Sequence, residues 1–347
     1  MNSTIAVDLA KSVFEIAVSV EPGVVSERHR VSRAGFARFF VNRPAATVVM
    51  EACSSAHFWA RRIQALGHRV VLLPPHHVRR YREHGRKTDR VDAKALLEAF
   101  RNEEILPVPV KSVEQHCLGA LHRVRSGWMA TRTARLNTLR GILRELGVVI
   151  PVGATQVVRQ VRICMDDEAI IPLALRGILG ELCEELGDLE TRIKAAEHQL
   201  AAVTKQIPAA AHLRLIPGVG LLTSTALVGF VGDAKRFKSG RHFASYLGLT
   251  PRENSSGLTR RLGRISKKGN TYIRMLLIHG ARSVLVTAPR QEKPTALAVW
   301  ALKVAQRRGH NIATVALANK LARIIWATWS RGCTFDPTAH ERNSAAA

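Results

Sequence analysis

Acidic residues are the scarce class in this chain: 27 Asp and Glu stand against 52 Lys and Arg, leaving a formal charge of +25 at pH 7. A field of that sign disfavours cationic partners and draws polyanions from a distance, which makes nucleic acid the expected partner. Cysteines are few and unpatterned. The five, at 53, 117, 164, 183 and 333, form no C-x-x-C pair, so neither a zinc ribbon nor a disulfide framework is expected, and a reducing cytoplasm fits. Long apolar runs are missing too. Lys320 and Arg323 break the stretch from 312 to 329, and Asp8 and Lys11 stand in the first apolar segment, unlike a secretory signal, so no membrane-spanning segment is expected. What remains is a chain of 347 residues with 46% hydrophobic content, enough to bury a core and to divide into two or three domains.

The first hundred residues read as alternating strands and helices. "TIAVDLAKSVFEIAVSV" (4–20) gives two β-rich runs joined by a tight polar turn, and "VVSERHRV" from 24 supplies a third strand. A helix near 33–42, a strand at 46–51, a helix near 55–66 and a strand at 69–74 follow. The pattern predicts an α/β fold, in which an antiparallel meander joins a mixed sheet with helices packed on it. From about 112 the chain turns helical. Leu175, Leu179, Leu182, Leu186, Leu189, Ile193, Ala196 and Leu200 alternate spacings of four and three, the seam of a coiled coil. Leu136, Leu139, Leu143 and Leu146 would line an antiparallel mate or the matching seam of a second chain.

Where acidic residues do occur, they are placed unusually. In "KTDRVDAKAL" (87–96), Thr88 or Asp89 reads as a helix N-cap, and Asp89 and Asp92, three apart, share one helix face. They repel unless a cation sits between them. Asp8 ends one apolar strand and Glu51 ends another, where a charge is costly unless paired, protonated or metal-bound. Adjacent strands would bring both to one sheet edge. Four oxygen donors without a Cys or His pattern suit Mg2+ or Mn2+, and two such ions about 4 Å apart can clamp both the attacking and the leaving oxygen of a phosphodiester. Each carboxylate also has a plainer use, Asp8 capping a turn, Glu51 capping the next helix, and Asp89 and Asp92 favouring a helix start. Their joint order, strand-end Asp, strand-end Glu and helix-start Asp pair, is RNase H-like.

Two further segments carry a nucleic-acid signal. "LRLIPGVGLLTSTALVGFV" (213–231) sets Pro217, Gly218 and Gly220 between two apolar helical patterns: either a helix-hairpin-helix whose backbone N–H groups meet a phosphate or an ordinary helix junction. "TPRENSSGLTRRLGRISKKGNTYIR" (250–274) surrounds Ser255, Ser256 and Gly257 with Arg252, Arg260, Arg261, Arg264, Lys267, Lys268 and Arg274. That loop either grips a phosphate backbone or offers a hydroxyl among donors for developing negative charge.

Taken in order, "IAVDLAK", "MEAC", "KTDRVDAKALLEA", "IPGVG" and "YLGLTPRENSSG…RRLGRISKKGN" span nearly the whole chain, which resembles the DEDD-type transposases of the IS-one-ten family of insertion sequences, including its IS-eleven-eleven group. The resemblance implies a RuvC-like, RNase H-fold domain at 1–110 and a helical, coiled-coil region at 111–205. It further implies a mainly helical C-terminal transposase domain at 206–332; the tail at 333–347, ending "ERNSAAA", reads from its own sequence as disordered. It implies that Asp8, Glu51, Asp89 and Asp92 hold Mg2+ (or Mn2+) and that Ser256, or in its place Ser255, is a nucleophile forming a covalent phosphoserine link to DNA. Active sites composed from two subunits of a dimer or tetramer, and a bridge RNA that sets donor and target specificity, come with the same resemblance. Pairing by RNA would leave the protein to read backbone shape, which suits a chain rich in Lys and Arg with 5% aromatic residues.

Three other readings compete. The carboxylates alone suffice for a RuvC-like metal-dependent endonuclease that hydrolyses DNA junctions. The basic surface and a coiled coil would serve a non-enzymatic architectural binder. Actin-like ATPases and sugar kinases share the strand-hairpin opening, but there a Gly-containing phosphate loop follows the first Asp, whereas Leu9, Ala10 and Lys11 follow Asp8.

Overall fold

A computed structural model of the chain describes residues 3–82, 89–167 and 169–336, with Asp89 and Arg90 described by their backbone alone. The chain divides into two compact units, residues 1–113 and 114–347.

The first unit is built on strands β1 (Thr4–Asp8), β2 (Val13–Ser19) and β3 (Glu27–Ser32), the short helix α1 (Arg38–Val41), β4 (Thr47–Glu51), α2 (Ala56–Ala65), β5 (Arg69–Leu73), α3 (Pro75–Val78) and α4 (Asp89–Phe100). The strands form one mixed sheet in the order β3-β2-β1-β4-β5, with β1, β4 and β5 parallel and the first three a meander. Its centre reads as unbroken apolar runs because both faces are covered. Ile5, Val7, Val48 and Met50 pack on one side with Phe14, Phe36, Phe40 and Trp59, while Ala6, Val49 and Val71 pack on the other with Ala93, Leu96 and Leu97 of α4. Edge strand β3 is charged and largely exposed, which discourages pairing with another chain. The helix expected near 33–42 shortens to α1, because Ser32 to Gly35 close a turn first.

In the second unit, α5 (Val113–Glu145), α6 (Ala154–Met165) and α7 (Leu173–Thr204) pack together. Arg125 pairs with Glu197, Arg132 with Glu190 and Arg135 with Glu185, so α5 and α7 run antiparallel. Leu136, Leu139 and Leu143 are buried against Leu179, Cys183 and Leu186, together with Val157 and Val161 of α6. The antiparallel mate predicted for the leucine seam is thus α5 of the same chain. Leu175 and Leu182 pack only at the edge of that cluster.

Beyond it come α8 (Pro208–Leu213), α9 (Leu221–Val231), α10 (Gly240–Tyr246), the hairpin β6 (Pro251–Glu253) and β7 (Leu262–Ile265), then α11 (Thr271–Thr287), α12 (Ala296–Arg308) and α13 (His310–Arg331). α9 is apolar all round and buried along most of its length, as a central core helix must be. The "IPGVG" turn enters it by a close backbone approach. Gly218 has φ 81°, and a Cβ on Gly280 of α11 would lie 1.9 Å from the Gly218 carbonyl oxygen, so neither position accepts a side chain without movement. Of the predicted tail, residues 337–347 lie outside the described residues. Among the described residues no helix is long and apolar enough to cross a membrane.

Candidate nucleic-acid processing site

The parallel register of β1 and β4 sets Val7 beside Met50, so Asp8 and Glu51 end neighbouring strands at the same sheet edge. Side chains alternate along a strand. Because Ala6 and Val49 face α4, Asp8 and Glu51, two residues further on, project to that face as well. Asp92 comes from α4 itself and is buried at 8% exposure. Arg82, in the chain leaving β5, joins the set: its Nη2 donates to Glu51 Oε2 at 3.1 Å, and its Nε lies 2.8 Å from Asp92 Oδ1. One guanidinium therefore touches two of the predicted carboxylates. The second contact is an ion pair without an aligned hydrogen bond, and Nε and Oδ1 are both buried without a hydrogen-bond partner among the described residues.

Glu51 does not cap α2, whose N-cap is Ser55. Asp89 opens α4, but its side chain lies outside the described residues, as do Lys87 and Thr88 of the same stretch. Two residues at this edge escaped the sequence reading. Arg82 was hidden in the basic run "HHVRRYR", where nothing singles out one arginine. Glu15 lies directly opposite Asp8 in the β1–β2 ladder, on the α4 face, and pairs with Arg30 at 3.5 Å. A lone charge inside "VFEIAV" was the available signal, the same one that exposed Asp8.

The serine stretch forms the β6–β7 hairpin. Its base is clamped, since a Cβ on Gly248 would meet the Lys268 carbonyl oxygen at 2.2 Å and one on Gly269 would meet that of Tyr246 at 2.0 Å. Arg274 is part of this clamp. Buried at 7% exposure, it donates to the carbonyls of Leu247 (3.1 Å) and Lys268 (3.0 Å) and to Thr271 Oγ1 (3.2 Å), so its guanidinium faces the hairpin's own backbone rather than solvent.

At the tip the two serines differ. Ser255 Oγ donates to Glu253 Oε1 at 2.8 Å and accepts from the Arg261 backbone N–H at 3.1 Å, which ties it into the hairpin. Ser256 exchanges backbone hydrogen bonds of 3.2 and 3.1 Å with Thr259, and its exposed hydroxyl has no partner among the described residues. Arg252, Arg261, Arg264, Lys267 and Lys268 stand exposed on the same hairpin and its base, and Arg260 leans on Glu253 at 3.3 Å. Gly218 is turned toward α11, while Gly220 is exposed at the N-cap of α9.

A probable family 20 transposase of Pseudomonas aeruginosa is 41% identical over 96% of the chain and 99% of its own length. The transposase for insertion sequence element IS1111A of Coxiella burnetii is 36% identical over 95% of the chain and 90% of its own length, and that for IS1328 of Yersinia enterocolitica 34% identical over 95% and 98%. The profile described as "Transposase IS116/IS110/IS902 family" matches residues 210–296, and a DEDD transposase profile matches 5–148. The chain belongs to the IS116/IS110/IS902 family of transposases.

In this transposase the first profile contains the serine hairpin and the second contains Asp8, Glu51, Asp89 and Asp92. The DEDD profile suggests a divalent metal. Glu51 and Asp92 fit one: they are hard oxygen donors that already converge on a cation, and Asp92 Oδ1 is buried without a hydrogen bond among the described residues. No group of three His, Cys, Asp or Glu side chains close enough to hold a metal occurs among the described residues. Transposases act on DNA. A groove of about 1730 Å3 beside the hairpin is walled mainly by apolar side chains, among them Trp300, Ile312, Val315 and Ile324, and also carries Arg264, Lys267, Arg308, Lys320, Arg323 and Arg331 against the single acidic residue Asp336 among the described residues. It exceeds the ~300–1,000 Å3 of small-molecule sites. Lys320 Nζ sits 4.1 Å from the centre of the Trp300 ring, and burial, with Arg323 nearby, lowers its pKa.

Proposed function

We propose that this transposase cuts and rejoins DNA strands through a covalent phosphoserine at Ser256, in a site whose divalent ion is held by Asp8, Glu51, Asp89 and Asp92. The observation that carries this reading is the contrast at the hairpin tip, where Ser255 is spent on structure and Ser256 offers an exposed, unengaged hydroxyl among cations. The sheet order β3-β2-β1-β4-β5, with carboxylates at the shared end of β1 and β4, supports an RNase H-like, RuvC-like core.

In the step, the Ser256 hydroxyl gives up its proton as Oγ bonds to phosphorus, one bridging P–O bond of the strand breaks, and the leaving sugar oxygen takes up a proton, so the protons balance. The phosphodiester is kept as an ester, so a second strand end can displace the serine without an external energy source. A bound Mg2+ or Mn2+ would polarise the phosphate and favour ionisation of the attacking hydroxyl. Arg252, Arg261, Arg264, Lys267 and Lys268 hold the phosphate backbone and offset its charge. Of the "IPGVG" turn, Gly220 is the part left open to a phosphate. A bridge RNA selecting donor and target, and an assembly of two or four chains completing each site, belong to the same proposal. The excess of Lys and Arg over the chain supports the first only as a general attraction for a polyanion.

Incubation with element-end DNA and Mg2+, followed by denaturation, tests the chemistry. The expected result is a slow-migrating protein–DNA adduct that Ser255→Ala retains and Ser256→Ala loses. Nicked ends without any adduct would favour the hydrolytic endonuclease. Sequencing the RNA that copurifies with the protein tests guidance, which predicts one discrete noncoding species encoded beside the element.

A further inference from the structure

Arg82 has no part in the chemistry above, yet it occupies the place where the carboxylates meet. It leaves the turn after β5 with an extended backbone, φ −76° and ψ 137°, at the edge to which β1 and β4 deliver Asp8 and Glu51. Its side chain is about a quarter exposed, against 22% for Glu51 and 12% for Asp92. A guanidinium meets carboxylates at about 2.7–2.9 Å, whereas Mg2+ requires about 2.0–2.1 Å and near-octahedral order. One oxygen pair cannot serve both cations in full. The two would also repel each other across a partly buried site.

The fit of Arg82 is incomplete. Its bond to Glu51 is sound, but toward Asp92 the Nε–H is not aligned, and among the described residues a buried donor and a buried acceptor are both left unsatisfied. Burial without a hydrogen bond is costly for either group, so this contact is the weak point of the arrangement. Around Arg82 lie exposed His76, Arg79 and Arg80, at the same end of the parallel strands. An arginine released from the carboxylates therefore stays in a cationic strip facing the ligand edge of the sheet.

We infer that Arg82 is a resident counter-cation of the metal-free site: it neutralises Glu51 and Asp92 until a divalent ion takes them, and metal binding must displace it. This rests on the carboxylate–metal reading above and assigns Arg82 a positioning role opposed to the metal. Removing it strips a competitor from the ligands, and the free energy spent on displacement returns as metal affinity.

Binding of Mn2+ to the full chain without nucleic acid, followed by electron paramagnetic resonance of the free ion, tests the inference. Arg82→Gln and Arg82→Ala are expected to bind Mn2+ about tenfold more tightly than the wild type, while Asp92→Asn binds more weakly. Thermal melting gives a second readout: both Arg82 variants melt lower than the wild type without metal, and saturating Mn2+ raises their melting temperature more than it raises that of the wild type. Should the alanine variant fail to fold, the glutamine variant carries both measurements. Wild-type binding of Mn2+ with unchanged or weaker binding by the Arg82 variants overturns the displacement. Absence of Mn2+ binding in every form, wild type included, overturns the metal reading itself.

Discussion

His122 illustrates how single side chains tie the second unit together. Thr225 Oγ1 donates to the Leu221 carbonyl at 2.6 Å, so it accepts from His122 Nε2–H at 2.9 Å, and His122 Nδ1 then accepts from the Tyr272 hydroxyl at 3.0 Å. The ring is neutral and buried, and burial, then Arg125, push its pKa down to about 4. The unfolded chain takes up a proton near the ordinary value of 6.5 that the folded chain refuses, so stability falls as pH drops from about 6.5 towards about 4. Between pH 8 and pH 5 this group alone costs about 2 kcal/mol. Urea titrations at the two pH values should show that loss in the wild type and a smaller one in His122→Gln. An equal loss in both would remove His122 as the source. At this scale the sequence disclosed Asp8 and Glu51, because a charge at the end of an apolar strand is conspicuous, and it singled out the Ser-Ser pair. The family resemblance put Ser256 first, but the residues by themselves did not separate it from Ser255, since that difference lies in hydrogen bonds to Glu253 and Arg261 across the hairpin. Arg274 looked like one more basic contact for the same reason: burial is not visible in a basic run.

Among the elements, the helix pair α5–α7 separates packing from charge. Leu139 is wholly buried, and Leu139→Ala is expected to cost ~2–5 kcal/mol. Arg135 and Glu185 are each more than a third exposed, so breaking their pair should cost far less than the leucine truncation, and less still at high salt. Denaturant titration of Leu139→Ala, Arg135→Ala and Glu185→Ala measures both. The α9 entry adds a backbone constraint. Gly280→Ala places a methyl group within 1.9 Å of the Gly218 carbonyl oxygen, so α11 or the turn must shift, and a loss of ~1–3 kcal/mol or more is expected in the same titration. Strand and helix positions were largely legible, because alternation in β1 and β4 and the 3.5-residue repeat of α7 are local signals. The partner of that repeat was not: the choice between a mate in the same chain and a second chain depends on a long-range antiparallel pairing that spacing does not encode.

Across the whole molecule, the excess of 52 basic over 27 acidic residues sets how affinity for nucleic acid responds to salt. Each phosphate contact on duplex DNA contributes a slope of about −0.9 to log K against log salt. Replacing Arg264, Lys267 or Lys268 by Ala should flatten that slope by roughly one contact each. Arg274→Ala should instead lower stability and leave the slope nearly unchanged, because its guanidinium is committed to the hairpin base. Composition alone pointed to the polyanion. The groove did not emerge from it, since Arg264 and Arg331 are 67 positions apart in the chain and share its wall only in the folded unit. The central claim is that strand exchange passes through an ester on one particular serine. Mass spectrometry of the nuclease-trimmed, protease-digested adduct tests it most directly. The account predicts a residual nucleotide phosphate on Ser256 of the 250–274 stretch, whereas the same mass on Ser255, on another residue, or on no residue while strands are still exchanged would contradict it.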